Sequence, residues 1–323
     1  MKFSEYTALV DASLRDISYP GGDLAPLYEP VAYGLSAGGK RLRPVLLLMS
    51  AEAFGGEESR RRAMQAAIGI EMFHNFTLLH DDVMDNSETR RGRKSVQAKW
   101  DINTAILSGD TMLTLATQCI SNVEESLLRS VLEIFNNMAL RVYEGQRLDM
   151  DYEARTDVSV ADYMHMIGLK TGVLIGAAAR IGALIGGATP EQAEAMERFG
   201  YRLGLAFQMQ DDWLDVFGDA TTFGKPIGGD INNGKKSYLL LTGLESGRPE
   251  ADALRVAMQM PPGDTKVKTV TRIYDKLGIS DIVRKDVVKY TSDALSALRE
   301  TGLTDTEREP FKALADRLTG RKK

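Results

Sequence analysis

Helical periodicity runs through almost the whole of this 323-residue chain. No stretch alternates apolar and polar side chains convincingly enough to be a strand. A chain patterned in this way has to bury its apolar stripes helix against helix. Phe3 to Leu14, Leu27 to Leu35, Val45 to Phe54, Glu57 to Asp85, Asn103 to Ile120 and Glu124 to Leu148 read as successive helices. Val160 to Leu184 reads as another, interrupted at Lys170-Thr171-Gly172. Pro190, tolerated in a first helical turn, opens a helix that runs into a second acidic motif. A glycine-rich loop from Phe217 to Gly234 follows, then shorter helices and the basic end Arg321-Lys322-Lys323. The expected fold is an all-α bundle whose site is built between facing helices, as one domain over residues 1–323.

Two of these helices end in the same way. Asp81-Asp82-Val83-Met84-Asp85 closes the fourth, and Asp211-Asp212-Trp213-Leu214-Asp215 closes the one that begins at Pro190. Carboxylates four apart share a helix face and repel. They also lie at the negative end of the helix dipole. A hard divalent cation removes both penalties, and Mg²⁺ is typically held by one or two carboxylates together with substrate phosphates. One acidic helix end is common surface decoration. Two, each followed by basic residues, call for a different explanation.

Basic clusters accompany them. Gly38-Gly39-Lys40-Arg41-Leu42-Arg43-Pro44 offers pliant backbone and converging cations to an oxyanion. Arg90-Arg91-Gly92-Arg93-Lys94 follows the first acidic motif; such like charges would ordinarily form a solvated, extended loop. Lys170 stands in an apolar pattern, where it must snorkel or meet an anion. Gly168, Gly172 and Gly176 share one face, as tight helix packing requires. Gln208 lies on the turn before Asp211. His74, His80 and His165 have no zinc-site spacing. Neither a Ser-His-Asp nor a Cys-His arrangement can be drawn. The chemistry implied is stabilisation of a polyphosphate leaving group by metal and cations.

Composition narrows the classes. A net charge of −5 gives no bulk attraction to nucleic acid or anionic membrane. The single cysteine, Cys119, fits a reducing compartment, and the expected location is cytoplasmic. The N-terminus has no apolar signal core, and the apolar run from Thr171 to Thr189 carries an arginine, so no integral membrane segment is expected.

Taken together and in order, these motifs resemble the trans-isoprenyl diphosphate synthases, the polyprenyl synthetase family that includes farnesyl and geranylgeranyl diphosphate synthases. The resemblance implies an all-α fold around a deep central cavity and a homodimer. It implies that Asp81 and Asp85 bind two Mg²⁺ and Asp211 a third, supported by Asp82, Asp212 and Asp215. Arg90, Lys170, Lys225 and Lys235 would hold the allylic diphosphate (dimethylallyl, geranyl or farnesyl). Lys40, Arg43, His74 and Arg91 would take isopentenyl diphosphate in a metal-free pocket, which the basic tail would close. The Thr171 carbonyl and the Gln208 oxygen would steady the allylic cation.

Product length would be set beside the helix ending at Asp81. Phe76 stands about 7.5 Å up that axis at ~1.5 Å per residue, beside Thr77, with Phe73 a turn deeper. Each isoprene unit gains roughly 4 kcal/mol on burial, so elongation continues until an aromatic ring blocks it. Phe76 with Thr77 resembles the geranylgeranyl type, with farnesyl as the alternative; helix residues near Met112 would contribute from across the dimer. A terpene cyclase would lack the second DDxxD and the basic pocket, and a non-catalytic subunit would have lost an acidic motif.

Overall fold

The computed structural model describes residues 1–218 and 227–320. It is all-α, apart from one short ribbon among the described residues. The helices are α1 (Phe3–Arg15), α2 (Ala25–Leu35), α3 (Leu42–Arg62), α4 (Met64–Met84), α5 (Val96–Lys99), α6 (Ile102–Ser121), α7 (Glu125–Ala154), α8 (Val160–Ile167), α9 (Val173–Ile185) and α10 (Pro190–Phe217), followed by shorter ones up to Thr319. Two compact units form, Met1–Asn136 with Ala178–Met196, and Asn137–Ala177 with Glu197–Lys323.

In the first unit α4 is the central helix. Ile68, Ile70, Met72, Phe73, Phe76 and Leu79 leave hardly any side of it to solvent, as expected of a helix apolar all round. It lies against α6 closely enough that glycines are obligatory. A Cβ on Gly69 would stand 2.8 Å from the Ala116 carbonyl oxygen, and one on Gly109 would stand 2.3 Å from the His80 ring. The buried polar groups on α4 are satisfied. Arg41 donates to Glu71 at 2.6 Å, to Asp11 at 2.9 Å and to the Leu35 carbonyl at 2.9 Å.

Several sequence expectations are corrected here. The segment Glu57 to Asp85 is not one helix. α3 runs to Arg62 through a kink at Gly56 (φ 71°), and α4 begins at Met64. α3 starts at Leu42, ahead of Val45, because Arg41 caps it in the left-handed region (φ 48°). The Arg90–Lys94 cluster is not an extended loop. Thr89–Arg90 and Arg93–Lys94 pair antiparallel, and Arg91 (φ 53°) and Gly92 (φ 74°) supply the two positive φ angles of a tight hairpin turn. Met112 itself is fully buried in its own unit, its methyl 3.0 Å from where a Cβ on Gly34 would lie.

In the second unit the break at Lys170-Thr171-Gly172 is real and specific, since Gly168–Gly172 forms one turn of π-helix between α8 and α9. Such single-turn bulges recur at functional sites. Gly168, Gly172 and Gly176 turn toward α10, where added Cβ atoms would meet Tyr201 Oη at 2.2 Å, the Tyr201 ring at 2.9 Å and the Glu197 carbonyl oxygen at 3.0 Å. Thr189 and Gln192 cap α10 reciprocally, and Pro190 takes its first position. Val160–Ile185 is long and apolar enough to cross a membrane, but 72% of its most apolar 18 residues is buried within the protein, as in a core helix.

Candidate active site

Burial sorts the first acidic motif by role. Asp82 is 3% exposed, while Asp81 and Asp85 keep solvent access at the end of α4. The Asp85 N–H donates to the Asp81 carbonyl at 2.8 Å, so the last turn stays wound and the two carboxylates stay on one face. Asp82 points away from them to Arg90, whose Nε and Nη2 donate at 2.9 and 2.5 Å. Burial raises the Asp82 pKa, the Arg90 bonds offset this, and Asp85 adds a further upward push. Arg90 is therefore committed to a carboxylate of the acidic motif and draws the hairpin against it.

The cations of the same unit gather around His74. Arg43 Nη1 lies 3.1 Å from His74 Nε2, and the Arg43 Nε is buried without a hydrogen-bond partner among the described residues. Burial, and then the charges of Arg43, Arg91, Arg90 and Arg41, hold the His74 pKa well below its usual value, so the ring is neutral. Arg43 itself is pushed down to about 10 by burial. Arg91 donates to the Gly38 carbonyl. Gly39 (φ 133°) carries no Cβ because the Arg91 guanidinium occupies that space, 2.8 Å from where it would be. The Gly38-Gly39 pair thus admits an arginine from the hairpin, a reason that the sequence pattern did not reveal. Arg41, in the middle of the motif, serves folding: its buried guanidinium is taken up by Glu71 and Asp11.

The second acidic motif is sorted in the same way. Asp212 and Asp215 are 5% and 7% exposed, and Asp211 is more open. Asp215 accepts the Asp230 N–H at 3.0 Å, which folds the end of the glycine-rich loop back onto α10. Asp212 accepts from the Tyr163 hydroxyl at 2.6 Å, the Tyr238 N–H at 2.9 Å and Gln208 Nε2 at 3.2 Å. Burial and the charge of Asp230 nevertheless push its pKa up to about 7. Gln208, on the turn before Asp211, is turned to Asp212. A cavity of about 160 Å³ opens here, lined among others by Lys170, Thr171, Gln208, Asp230 and Lys235. Lys170 Nζ is 2.6 Å from Asp149 Oδ2. Tyr163, Tyr238, Asp149 and Asp230 do not stand out in the sequence. The Gly145-Gln146 pair one turn before Asp149 was a usable signal, because a Cβ on Gly145 would stand 2.4 Å from the Lys170 nitrogen. Lys225 and the tail Arg321-Lys322-Lys323 lie outside the described residues.

The residues present fit a hard divalent cation. Burial raises both Asp82 and Asp212, with the like charges of Asp85 and Asp230 adding to it, and Asp81 and Asp85 share one face at the end of α4. Among the described residues no three ligating side chains converge as a ready-made cage. Mg²⁺ commonly takes one or two carboxylates, as Asp81 and Asp85 offer, and completes its shell with phosphate oxygens and water.

A sequence model of the Polyprenyl synthetase family matches residues 25–277. The geranylgeranyl diphosphate synthase of Methanosarcina mazei is 41% identical over 291 residues, 90% of this chain and 88% of that protein. The crystal structure of a geranylgeranyl pyrophosphate synthase superposes with a TM-score of 0.94 at 39% identity, covering 100% of both chains. A geranylgeranyl pyrophosphate synthase from Corynebacterium glutamicum, solved with isoprenyl diphosphate and magnesium, gives a TM-score of 0.84 at 26% identity over 99% of this chain and 96% of that one. Fold, site and likeness together define a prenyltransferase. The chain belongs to the polyprenyl synthetase family.

Proposed function

We propose that this enzyme condenses isopentenyl diphosphate with an allylic diphosphate and stops at geranylgeranyl diphosphate. The observation that carries the reading is His74 Nε2 3.1 Å from Arg43, in the field of Arg91, Arg90 and Arg41. It is an anion pocket with no carboxylate free to hold a metal, since Glu71 is taken by Arg41 and Asp82 by Arg90. A condensing enzyme needs such a pocket for its second diphosphate; a cyclase does not.

Lys40, Arg43, His74 and Arg91 bind isopentenyl diphosphate, with the unpartnered Arg43 Nε as a ready donor. Asp81, Asp85 and Asp211 hold Mg²⁺, three ions in all; Asp82, Asp212 and Asp215 brace them from buried positions. When bound, the ions neutralise the allylic diphosphate and favour its departure. Lys170, Lys225, Lys235 and Arg90 add counter-charge, and Lys170 exchanges Asp149 for the phosphate. Thr171 and Gln208 present oxygens to the allylic cation. The isopentenyl alkene attacks that cation, and the departing diphosphate removes the proton.

Phe76 ends the product path. It is 5% exposed and packs on Phe73 and His80, with ring centroids 5.5 and 4.7 Å away. Phe73 is fully buried against Phe135, a core role. The enzyme works as one catalytic domain in the cytoplasm, as a homodimer built on the exposed apolar side chains of α6. The test is incubation with Mg²⁺, labelled isopentenyl diphosphate and each allylic starter. The expected limit is C20, lengthening in Phe76→Ala and unchanged in Phe73→Ala, which instead loses stability. A C15 limit moves the stop nearer the acidic motif, and no elongation with any starter refutes the synthase reading.

A further inference from the structure

We propose that Tyr163 is a positioning residue for prenyl transfer: through Asp212 it fixes the Gln208 amide with its oxygen turned to the cavity. The inference rests on the synthase reading and adds to it a residue that acts at one remove from the substrate.

A carboxamide is nearly symmetrical in shape, so packing alone does not decide which end of Gln208 faces a ligand. Its two ends have opposite polarity, and only the oxygen steadies a cation. The structure settles the orientation by hydrogen bonding. Asp212 Oδ2 is already taken by the Tyr163 and Tyr238 donors, and Oδ1 takes Gln208 Nε2, at 3.2 Å. The oxygen is then left on the other side, where Thr171 Oγ1 approaches at 3.5 Å, the limit of hydrogen-bond length. That oxygen retains capacity for a ligand.

Asp212 can play this part only while its own rotamer is held. Oδ2 is held by the Tyr163 hydroxyl at 2.6 Å and the Tyr238 N–H at 2.9 Å. Tyr163 is 4% exposed and reaches Asp212 from α8, the helix that leads into the π-turn bearing Lys170 and Thr171. One hydroxyl therefore ties the element carrying Lys170 and Thr171 to the orientation of Gln208. Without it, Asp212 keeps a single backbone donor on Oδ2 and can rotate, and the Gln208 amide is freed to turn over.

The experiment measures single-turnover prenyl transfer at saturating substrates, with KM, Mg²⁺ dependence and Tm for each variant. Tyr163→Phe should slow the chemical step about tenfold, as for removal of one hydrogen bond to a charged group. KM for both substrates and half-saturating Mg²⁺ should stay within about twofold. Asp212→Asn should cost at least as much, because an amide there can donate to the Gln208 oxygen and invert it. The double variant should be no slower than Asp212→Asn alone. An unchanged rate in Tyr163→Phe overturns the proposal, as does a loss cured by added Mg²⁺ or a double variant in which the losses multiply. Should Tyr163→Phe fail to fold, Tyr163→Gln and Tyr163→Met decide: the variant that can still donate must be the faster, and equal rates overturn the proposal. A wild-type enzyme that forms no prenyl product refutes the synthase reading instead, so the two failures are told apart.

Discussion

Gly39 is a residue whose replacement separates two kinds of damage. A Cβ there would lie 2.8 Å from the Arg91 guanidinium, and the backbone φ of 133° already disfavours any side chain. Gly39→Ala should displace Arg91 from the His74 pocket. The expected outcome is a KM for isopentenyl diphosphate raised by about tenfold, the order expected when one charge-assisted hydrogen bond is removed, with the KM for the allylic substrate unmoved; steady-state kinetics with each substrate varied in turn checks it. Arg41 fails differently. Its guanidinium is buried against Glu71 at 2.6 Å, and removing one partner of a buried pair typically costs about 3–5 kcal/mol. Arg41→Ala should lose that much in urea unfolding, and Arg41→Met paired with Glu71→Leu should lose far less, because no lone charge is left inside. The sequence presented Lys40, Arg41 and Arg43 as one basic cluster. Nothing in the spacing separates the arginine that folds the loop from the one beside His74, since the difference lies in Asp11 and Glu71, which only the fold brings near.

At the scale of elements, the α8–α9 pair is seated on α10 by small residues, and the seat can be tested by compensation. Gly168→Ala would drive its methyl to 2.2 Å from Tyr201 Oη. Overpacking of this kind costs about 1–3 kcal/mol. Tyr201→Phe removes the atom in the way, so the double variant should recover most of the stability lost in Gly168→Ala, measured as urea midpoints. The glycine periodicity and the interruption at Lys170 were legible in the sequence because helix packing and helix breaking both leave local marks. The π-turn itself was not, because its fifth-residue bonding depends on how the flanking helices meet Tyr201 and Asp149. The hairpin at Arg90–Lys94 was hidden for a related reason. Its turn places Arg91, a residue with no preference for positive φ, in the left-handed region (φ 53°). The bond from Arg91 to the Gly38 carbonyl helps to hold it there. Both acidic motifs were plain from their four-residue spacing, but which aspartates are buried depended on Arg90 in the first and on Tyr163 and the Asp230 N–H in the second.

For the whole molecule, His74 sets a pH dependence whose sign is fixed by its burial. Its folded-state pKa lies well below 6.5. As pH falls through that value, the unfolded chain takes up a proton that the folded one refuses. Stability is therefore retained above about pH 6.5 and lost below it, by up to about 1.4 kcal/mol per pH unit. Asp212, pushed up to about 7, works the other way, because the folded state binds the proton first. The wild-type curve alone mixes the two, so the informative quantity is its difference from His74→Asn. That difference should widen as pH drops from about 6.5, with the variant losing less. A scan of Tm against pH for both proteins measures it.

Association is the other property at this scale. Ile102, Ile106 and Leu107 are 52%, 40% and 59% exposed along α6. Met112 and Ala116 of the same helix are buried. Apolar side chains left exposed on a helix that is otherwise packed into the core leave apolar surface uncovered, and a second copy of the chain is the proposed cover. Charge placed there desolvates badly and repels its symmetry mate. Ile106→Glu with Leu107→Glu should therefore shift the protein from dimer to monomer in sedimentation velocity, without unfolding it. If the variant sediments as the wild type does, α6 is not the interface. If it becomes a monomer that still binds isopentenyl diphosphate, the His74 pocket is complete within one chain, as expected of residues drawn from α3, α4 and the hairpin of a single unit.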